Sequence, residues 1–306
     1  MIIIKDIVIL LVSIIVIGKG AVWLVDAAAR VAKHFGISEL VIGLTVVAFG
    51  TSAPEFGVTI LAAIRGMGDI SVGNIVGSNI FNLGFILGGT AIIHSLKTSR
   101  TIVFRDGIFL LFGGILLSVF LWDLTLSKIE GIVLFTLLVL YLLYLYFKKE
   151  TIETEEPTHA MYRWDPILLF VGIGLVIVGS HFLVESAVSI ARFMGVSDWV
   201  IGATIIAAGT SAPEFATSLT AAMKSRYGMS VGNLIGSDIF NLFGVLGVAG
   251  MMRNLSVGHD AHINLIILSF MIAVVLIFMR TGWVVSRKEG IILVMIGLLR
   301  WIYSFS

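Results

Sequence analysis

Shifted by 159 positions, the sequence overlays itself. Residues 20–88 align with residues 179–247 without a gap. GTSAPEF spans Gly50–Phe56 and recurs letter for letter at Gly209–Phe215, so that Glu55 meets Glu214 (214 − 55 = 159). GISELVIG (36–43) meets GVSDWVIG (195–202), and SVGNIVGSNIFNL (71–83) meets SVGNLIGSDIFNL (230–242). The identities concentrate on polar residues. A repeat with a purely structural role preserves apolar spacing instead, so these positions mark chemistry that the fold uses twice.

The repeat lies in a chain that only a bilayer accommodates. Of the 306 residues, 58% are hydrophobic and 13% charged, with a mean hydropathy of +1.07; a soluble domain carries about 25% charged residues. A membrane helix takes about 20 mostly apolar residues. Ten segments meet that criterion, near 2–27, 39–64, 70–94, 102–122, 126–147, 166–190, 199–223, 229–252, 261–280 and 287–304. The first lacks a basic leader and a small-residue cleavage site, and reads as a retained membrane helix. The polar stretch at 148–165 divides the ten five and five. An odd number of spans per repeat forces the second copy into the membrane upside down. The expected fold is therefore all-α and integral to the membrane, with ten transmembrane helices in two inverted five-helix repeats, 1–147 and 166–306, an architecture of secondary transporters.

Basic residues orient the loops, because Lys and Arg stay cytoplasmic. With the N-terminus outside, the inner loops hold Arg30, Lys33, Lys97, Arg100, Arg105, Lys148, Lys149, Arg163, Lys224, Arg226, Arg280, Arg287 and Lys288. The outer positions hold Lys5, Arg65, Lys128, Arg192, Arg253 and Arg300. That asymmetry puts both termini outside and the 148–165 linker in the cytoplasm. Net charge is +1, so no strongly basic surface points to nucleic acid. There is no cysteine, which excludes disulfides and thiolate metal sites.

Glu55 and Glu214 fall deep within their segments. A charged side chain at mid-bilayer costs roughly 2.5–3.5 kcal/mol on insertion scales, which makes it a functional candidate. The structural alternative is a protonated or internally paired Glu that fixes helix packing. Neither segment carries a Lys or Arg as counter-ion, and a bound cation compensates instead. Pro54 and Pro213 lack an N–H and clash with the carbonyl four residues earlier, on Gly50 and Gly209. Glycine there permits an unwound turn, and the carbonyls of Ala48 and Ala207 are expected to be released toward an ion. Thr51, Ser52, Thr210 and Ser211 add hydroxyls. Ser78 and Asn82 share a helix face at i, i+4, as do Ser237 and Asn241. Gly73 and Gly77, and Gly232 and Gly236, have the GxxxG spacing of close helix packing. Carboxylate, hydroxyl and carbonyl are hard ligands, suited to Ca²⁺ and Na⁺. With no Cys and no nearby His, zinc and copper are disfavoured.

The two GTSAPE copies, each followed by SVGN-x-x-GS-x-IFNL, resemble the paired α-repeats of the Ca²⁺/cation antiporter superfamily, and within it the prokaryotic Na⁺/Ca²⁺ exchangers. The resemblance implies ten transmembrane helices, ion sites at mid-membrane, and ligands from the second, third, seventh and eighth helices. Carried over position by position, these are the carboxylates of Glu55 and Glu214, the hydroxyls of Thr51, Ser52, Ser78, Thr210, Ser211 and Ser237, the carbonyls of Ala48 and Ala207, and the amides of Asn82 and Asn241. It implies sliding of the first and sixth helices across the core. It implies Ca²⁺ and Na⁺ as transported ions with no tightly held cofactor, a plasma-membrane location, lipid as the main partner, and function as a monomer. One departure stands out: the position of Asn241 is often Asp in similar exchangers. Asp238, three residues earlier, stands where the other repeat has Asn79; it either supplies part of the missing charge or relays a proton, or is a side chain turned to a neighbouring helix that binds no ion.

Three rival functions remain open at this level. H⁺/Ca²⁺ exchange uses the same scaffold, with the glutamates taking the proton. A passive channel needs a continuous pore, usually ringed by repeated subunits. An intramembrane enzyme lacks a paired nucleophile and base. GMGD (66–69) matches an aspartyl-protease motif, but that chemistry needs two facing Asp residues, and Asp69 reads as loop. His181 reads as helix-packing or interfacial. Asp26 and Glu185 are expected to face water or cap helices, and Lys19 to snorkel. The acidic cluster Glu150, Glu153, Glu155 and Glu156 reads as solvated linker.

Overall fold

The computed structural model describes residues 2–148, 160–196, 201, 205 and 207–303. The acidic cluster at 150–156 lies outside the described residues. The fold is essentially all-helical. Two helices are much the longest: α1 (Ile2–Phe35, 34 residues) and α9 (Asp165–Phe193, 29 residues). They run against each other. Glycine sets their spacing, since a Cβ on Gly172 would sit 2.7 Å from the Leu24 nitrogen and one on Gly20 would sit 2.8 Å from Leu175 Cβ. Close approach of this kind is what small residues give membrane helices in place of a hydrophobic driving force.

The GTSAPEF helices are broken. In the first copy, α2 (Glu39–Ile42) opens on an N-cap, with Ser38 Oγ accepting from the Val41 N–H at 3.2 Å. A π-helical turn (Gly43–Val47) leads into α3 (Ala48–Thr51), and α4 (Ala53–Ile64) leaves at 51°. The break falls at Ser52 (φ −78°, ψ 8°), two residues before Pro54, whose missing N–H cannot continue the ladder. The second copy repeats it: α10 (Ala207–Gly209) and α11 (Ala212–Met223) meet at Ser211 (φ −90°, ψ 7°). Gly50 is not the unwound residue expected from the sequence. It lies in α3, where a Cβ would come within 2.6 Å of Ile173 Cδ1 on α9. Its role is close contact between the broken helix and the long one.

The SVGN helices are continuous but locally widened. α5 (Gly68–Phe81) passes through a π-turn at Asn82–Ile86 into α6 (Leu87–Ile93). α12 (Tyr227–Ile239) passes through a π-turn at Phe240–Val245 into α13 (Leu246–Met252). Such π-bulges are concentrated at functional sites, and here each holds or begins at the candidate Asn. The GxxxG pair of α12 is used as expected: a Cβ on Gly236 would lie 2.6 Å from the Leu44 carbonyl oxygen.

The remaining long helices are α7 (Ile108–Phe120, entered through a π-turn at Ile102–Gly107), α8 (Lys128–Phe147), α14 (Asp260–Arg280) and α15 (Arg287–Tyr303). A capping box starts α8, with Ser127 and Glu130 exchanging hydrogen bonds. The same exchange between Ser286 and Glu289 starts α15, again 159 residues on (286 − 127). Two-residue strands tie the halves together: β1 (Leu96–Lys97) pairs antiparallel with β4 (Val284–Val285), and β2 (Thr125–Leu126) with β3 (Leu255–Ser256). α7 runs from β1 towards β2, and α14 from β3 towards β4, so the two pairs lie at opposite ends of the bundle.

Among the described residues, seven helices are long and apolar enough to cross a membrane, or eight if the bent α2–α4 unit is one span. The sequence led to ten. The shortfall has two physical sources: α15 is only 17 residues long, and the segment near 199–223 runs partly through residues outside the described set. Many large apolar side chains face outward, among them Phe170 at 69% exposed and Ile266 at 67%, as lipid contact requires. Inside, among the described residues, the two largest packing units are distinct. One joins Leu83, Ile239, Phe243 and Leu268. The other joins Ala27, Ala28 and Ala32 of α1 with Leu169 of α9, Ile42, Val47 and Met229. The α1–α9 pair thus meets the rest through a smooth, alanine-rich face.

Candidate functional site

The two helix breaks face each other at the centre of the core. Glu55 and Glu214, each in the first turn after its break, are fully buried. Their partners cross between repeats. Ser211 Oγ donates to Glu55 Oε1 at 3.1 Å, and Ser52 Oγ donates to Glu214 Oε1 at 3.2 Å. The hydroxyl at each break therefore holds the carboxylate of the other half. Glu55 Oε2 and Glu214 Oε2 are buried with no hydrogen-bond partner. Among the described residues, neither glutamate has an ion-pair partner. A buried polar group left in this state costs about 1–3 kcal/mol, and more when charged.

Two asparagines outside the ligand set expected from the sequence brace the backbone behind the carboxylates. Asn74 Nδ2 donates to the Glu55 carbonyl at 3.4 Å and to Thr59 Oγ1 at 3.0 Å. Asn233 Nδ2 donates to the Glu214 carbonyl at 3.5 Å and to Ser218 Oγ at 2.9 Å. Ser71 and Ser230 complete the pattern by donating to the carbonyls of Thr59 and Ser218 at 3.1 and 2.8 Å. All eight residues obey the 159 offset. The identical SVGN tetrapeptide in both copies was the available signal, since Asn74 and Asn233 are its last letter.

The other sequence candidates are brought in unequally. Thr51 Oγ1 is buried, 3.2 Å from Asn233 Oδ1 and 3.4 Å from Ser237 Oγ. Its counterpart, Thr210 Oγ1, is buried with no hydrogen-bond partner. Ser78 is buried and lines a cavity of about 80 Å³ with Gly73, Asn74 and Gly77. The Ala48 carbonyl is not released. It accepts the Ser52 N–H at 3.0 Å and lies 3.3 Å from Thr51 Oγ1, because the chain closes one more helical turn before it breaks. Ala207 opens α10.

Where α5 crosses α12, four polar residues meet. Asn82 Nδ2 donates to Asp238 Oδ1 at 2.9 Å, Asn241 Nδ2 donates to Asn79 Oδ1 at 2.9 Å, and Asn79 Nδ2 donates to the Asp238 carbonyl at 3.1 Å. All four are fully buried. Asp238 therefore turns inward to Asn82. Among the described residues no three carboxylate or imidazole side chains converge on one point.

Features outside the site resolve as follows. Asp69 is not in a loop; it sits in the first turn of α5 and accepts the Gly258 N–H at 2.7 Å, tying the start of that helix to the segment before α14. His181 is not packed between helices; its side chain is 74% exposed, 4.0 Å from Glu185. Asp26 does more than face water, because Lys224 Nζ donates to it at 2.6 Å.

Comparison with known proteins gives the family of this fold. The family model described as "Sodium/calcium exchanger protein" matches residues 5–147 and 164–301. The chain is 32% identical to the sodium/calcium exchanger MaX1 of Methanosarcina acetivorans, over 94% of this chain and 95% of that one. It is 34% identical to the putative antiporter CaxA of Alkalimonas amylolytica, over 93% and 94%. Among solved structures, it matches the sodium-calcium exchanger NCX_Mj soaked with zero Na⁺ and Ca²⁺, with a TM-score of 0.88 and 31% identity, covering 99% of this chain and 100% of that one. With both repeats matched over nearly their whole length, the chain belongs to the sodium/calcium exchanger protein family and is a membrane-embedded cation antiporter.

Proposed function

We propose that the protein exchanges Ca²⁺ for Na⁺ by alternating access at a mid-membrane site built around Glu55 and Glu214. One observation carries the reading: each carboxylate is held on one oxygen by the hydroxyl of the opposite repeat and keeps its second oxygen buried and unpartnered. The two glutamate carboxylates supply a charge near −2, which one Ca²⁺ or two Na⁺ balance. Hydroxyls and amides from Thr51, Ser52, Ser78, Asn82, Thr210, Ser211, Ser237 and Asn241 complete an oxygen-only set of the kind hard cations take. The Ala207 carbonyl stays in that set; the Ala48 carbonyl, already engaged twice, contributes less than the sequence suggested.

In this reading the chain makes ten crossings as two inverted repeats, 1–147 and 166–306. The linker at 148–165 is cytoplasmic, both termini are outside, and the protein works in the plasma membrane as a monomer. The α1–α9 pair slides on its alanine-rich face to open the site to either side in turn. Support for motion there comes from the separate packing of that pair.

Glu55→Gln and Glu214→Gln test the site. Each substitution keeps the volume and removes one charge. Calcium exchange in reconstituted vesicles is expected to be lost in both. Transport retained in both variants sinks the assignment.

A further inference from the structure

The long helix α9 lies across both helix breaks. A Cβ on Gly50 would come within 2.6 Å of Ile173 Cδ1, and a Cβ on Gly209 would run into Val184. Ser180 lies seven residues after Ile173 and four before Val184. At 3.6 residues per turn the three share one face of α9, about 20–40° apart, with Ser180 about 10 Å along the axis from Ile173 and about 6 Å from Val184. The face packed on α1 is a different one, carried by Gly172, Val176 and Gly179. Ser180 therefore faces the span between the breaks, near the middle of a 29-residue helix.

The hydroxyl there is unused. Ser180 is 2% exposed, and its Oγ is buried with no hydrogen-bond partner. A Ser or Thr inside a helix can return its hydrogen to the carbonyl four residues back. Thr45 does so to Val41 and Ser118 to Gly114, at 2.7 and 2.8 Å; Ser180 does not. Thr210 Oγ1, one residue beyond Gly209, is also buried and unpartnered, as are Glu55 Oε2 and Glu214 Oε2. Buried polar atoms without a protein partner are met by water or an ion. A hydroxyl oxygen, with two lone pairs, is a hard ligand of the same kind as those at the breaks.

The repeat makes this hydroxyl one-sided. At the 159 offset, Ile173, Ser180 and Val184 correspond to Ile14, Ala21 and Val25 of α1. Ile14 is 51% exposed, so it is not seated on a break glycine as Ile173 is. Inverted repeats exchange roles between the two access states. In the opposite state α1 takes the place of α9 and brings a methyl, Ala21, where Ser180 stands here. We propose that Ser180 lends its hydroxyl oxygen to the cation held between Glu55 and Glu214, in only one of the two positions of the α1–α9 pair. This rests on the exchange and alternating-access reading above and adds a ligand carried by the moving helices themselves. A contact made in one state alone gives the ion different affinities at the two faces of the membrane.

The test compares Ser180→Ala with the wild type. Right-side-out and everted membrane vesicles of a host expressing the full chain each present one face of the protein to Ca²⁺. Initial rates of calcium-45 uptake into Na⁺-loaded vesicles are measured against external Ca²⁺, with uptake by vesicles of the same host lacking the protein subtracted. Loss of a hydroxyl ligand is expected to raise the half-saturating Ca²⁺ about tenfold on one face and less than about twofold on the other. The variant is expected to melt no lower than the wild type without Na⁺ or Ca²⁺, since the unpartnered hydroxyl stabilises nothing in the empty protein. The double variant A21S/S180A moves the hydroxyl to the symmetry mate and is expected to tighten Ca²⁺ on the opposite face relative to Ser180→Ala. Equal changes on both faces, or none on either, overturn the proposal, and so does a double variant that matches Ser180→Ala on both. Wild-type vesicles that take up no Ca²⁺ against a Na⁺ gradient overturn it together with the exchange reading.

Discussion

A carboxylate inside a membrane is legible in a sequence because its cost is large and local. Glu55 and Glu214 stood out for that reason, and both are fully buried at the facing helix breaks. What the sequence concealed was the wiring. Ser52 and Ser211 read as ligands of their own copies, yet each reaches across to the other half's glutamate. A crossing of that kind depends on how the halves dock, which spacing within one copy does not encode. Asn74 and Asn233 do not stand out in the sequence, because an Asn near mid-bilayer is far cheaper than a Glu. A hydrogen bond to a charged group contributes about 1.5–3 kcal/mol. Ser52→Ala and Ser211→Ala are therefore each expected to weaken apparent Ca²⁺ affinity about ten- to a hundredfold, by similar factors. Calcium titration of both variants checks this; an effect confined to one of them contradicts the symmetric wiring.

At the scale of elements, the 159 offset turns one conformation into two comparisons. At one end of the α1–α9 pair, Arg30 donates two hydrogen bonds to Asp165, at 2.9 and 2.7 Å, and Lys224 ties Asp26 of α1 to the end of α11. The counterparts at the other end are weaker. Asp6 receives one hydrogen bond, from Ser189 at 2.6 Å, and Glu185, the mate of Asp26, is 68% exposed beside His181 rather than near Arg65. One end is latched and the other is not, an asymmetry that the alternating access proposed above would give a state open to one side. The Lys224–Asp26 pair is about a third exposed, and such pairs contribute roughly 0–1 kcal/mol to stability. Lys224→Met is expected to melt within a few degrees of the wild type while raising the exchange rate by up to about fivefold, since 1.36 kcal/mol is tenfold in rate. Melting curves and initial rates on the same preparation check this, and an unchanged rate contradicts a latch. The breaks at Ser52 and Ser211 were foreseeable from Pro54 and Pro213. The π-turns at Asn82 and Phe240 were not, because one extra residue in a helical turn leaves no mark on apolar periodicity. It was the continuation of the helix to Ser52 that kept the Ala48 carbonyl engaged.

For the whole molecule, the repeat carried most of the architecture. Identical polar motifs in two halves, each proposed to span the membrane an odd number of times, point to inversion, and the matching bonds that Asn74 makes to Thr59 and Asn233 to Ser218, and that Ser127 makes to Glu130 and Ser286 to Glu289, extend the correspondence into three dimensions. Counting spans by length was less secure, because α15 is short and the α2–α4 unit is bent. The choice of counter-ion is the least legible property. A glutamate pair accepts Na⁺ or a proton with the same atoms, so selectivity rests on the oxygens around it. Calcium-45 uptake into vesicles containing the purified protein decides the matter, driven first by a Na⁺ gradient and then by a pH gradient at equal Na⁺. The account predicts uptake with the Na⁺ gradient and none with the pH gradient alone. Uptake driven only by the pH gradient, or calcium flux that needs neither gradient, would contradict it.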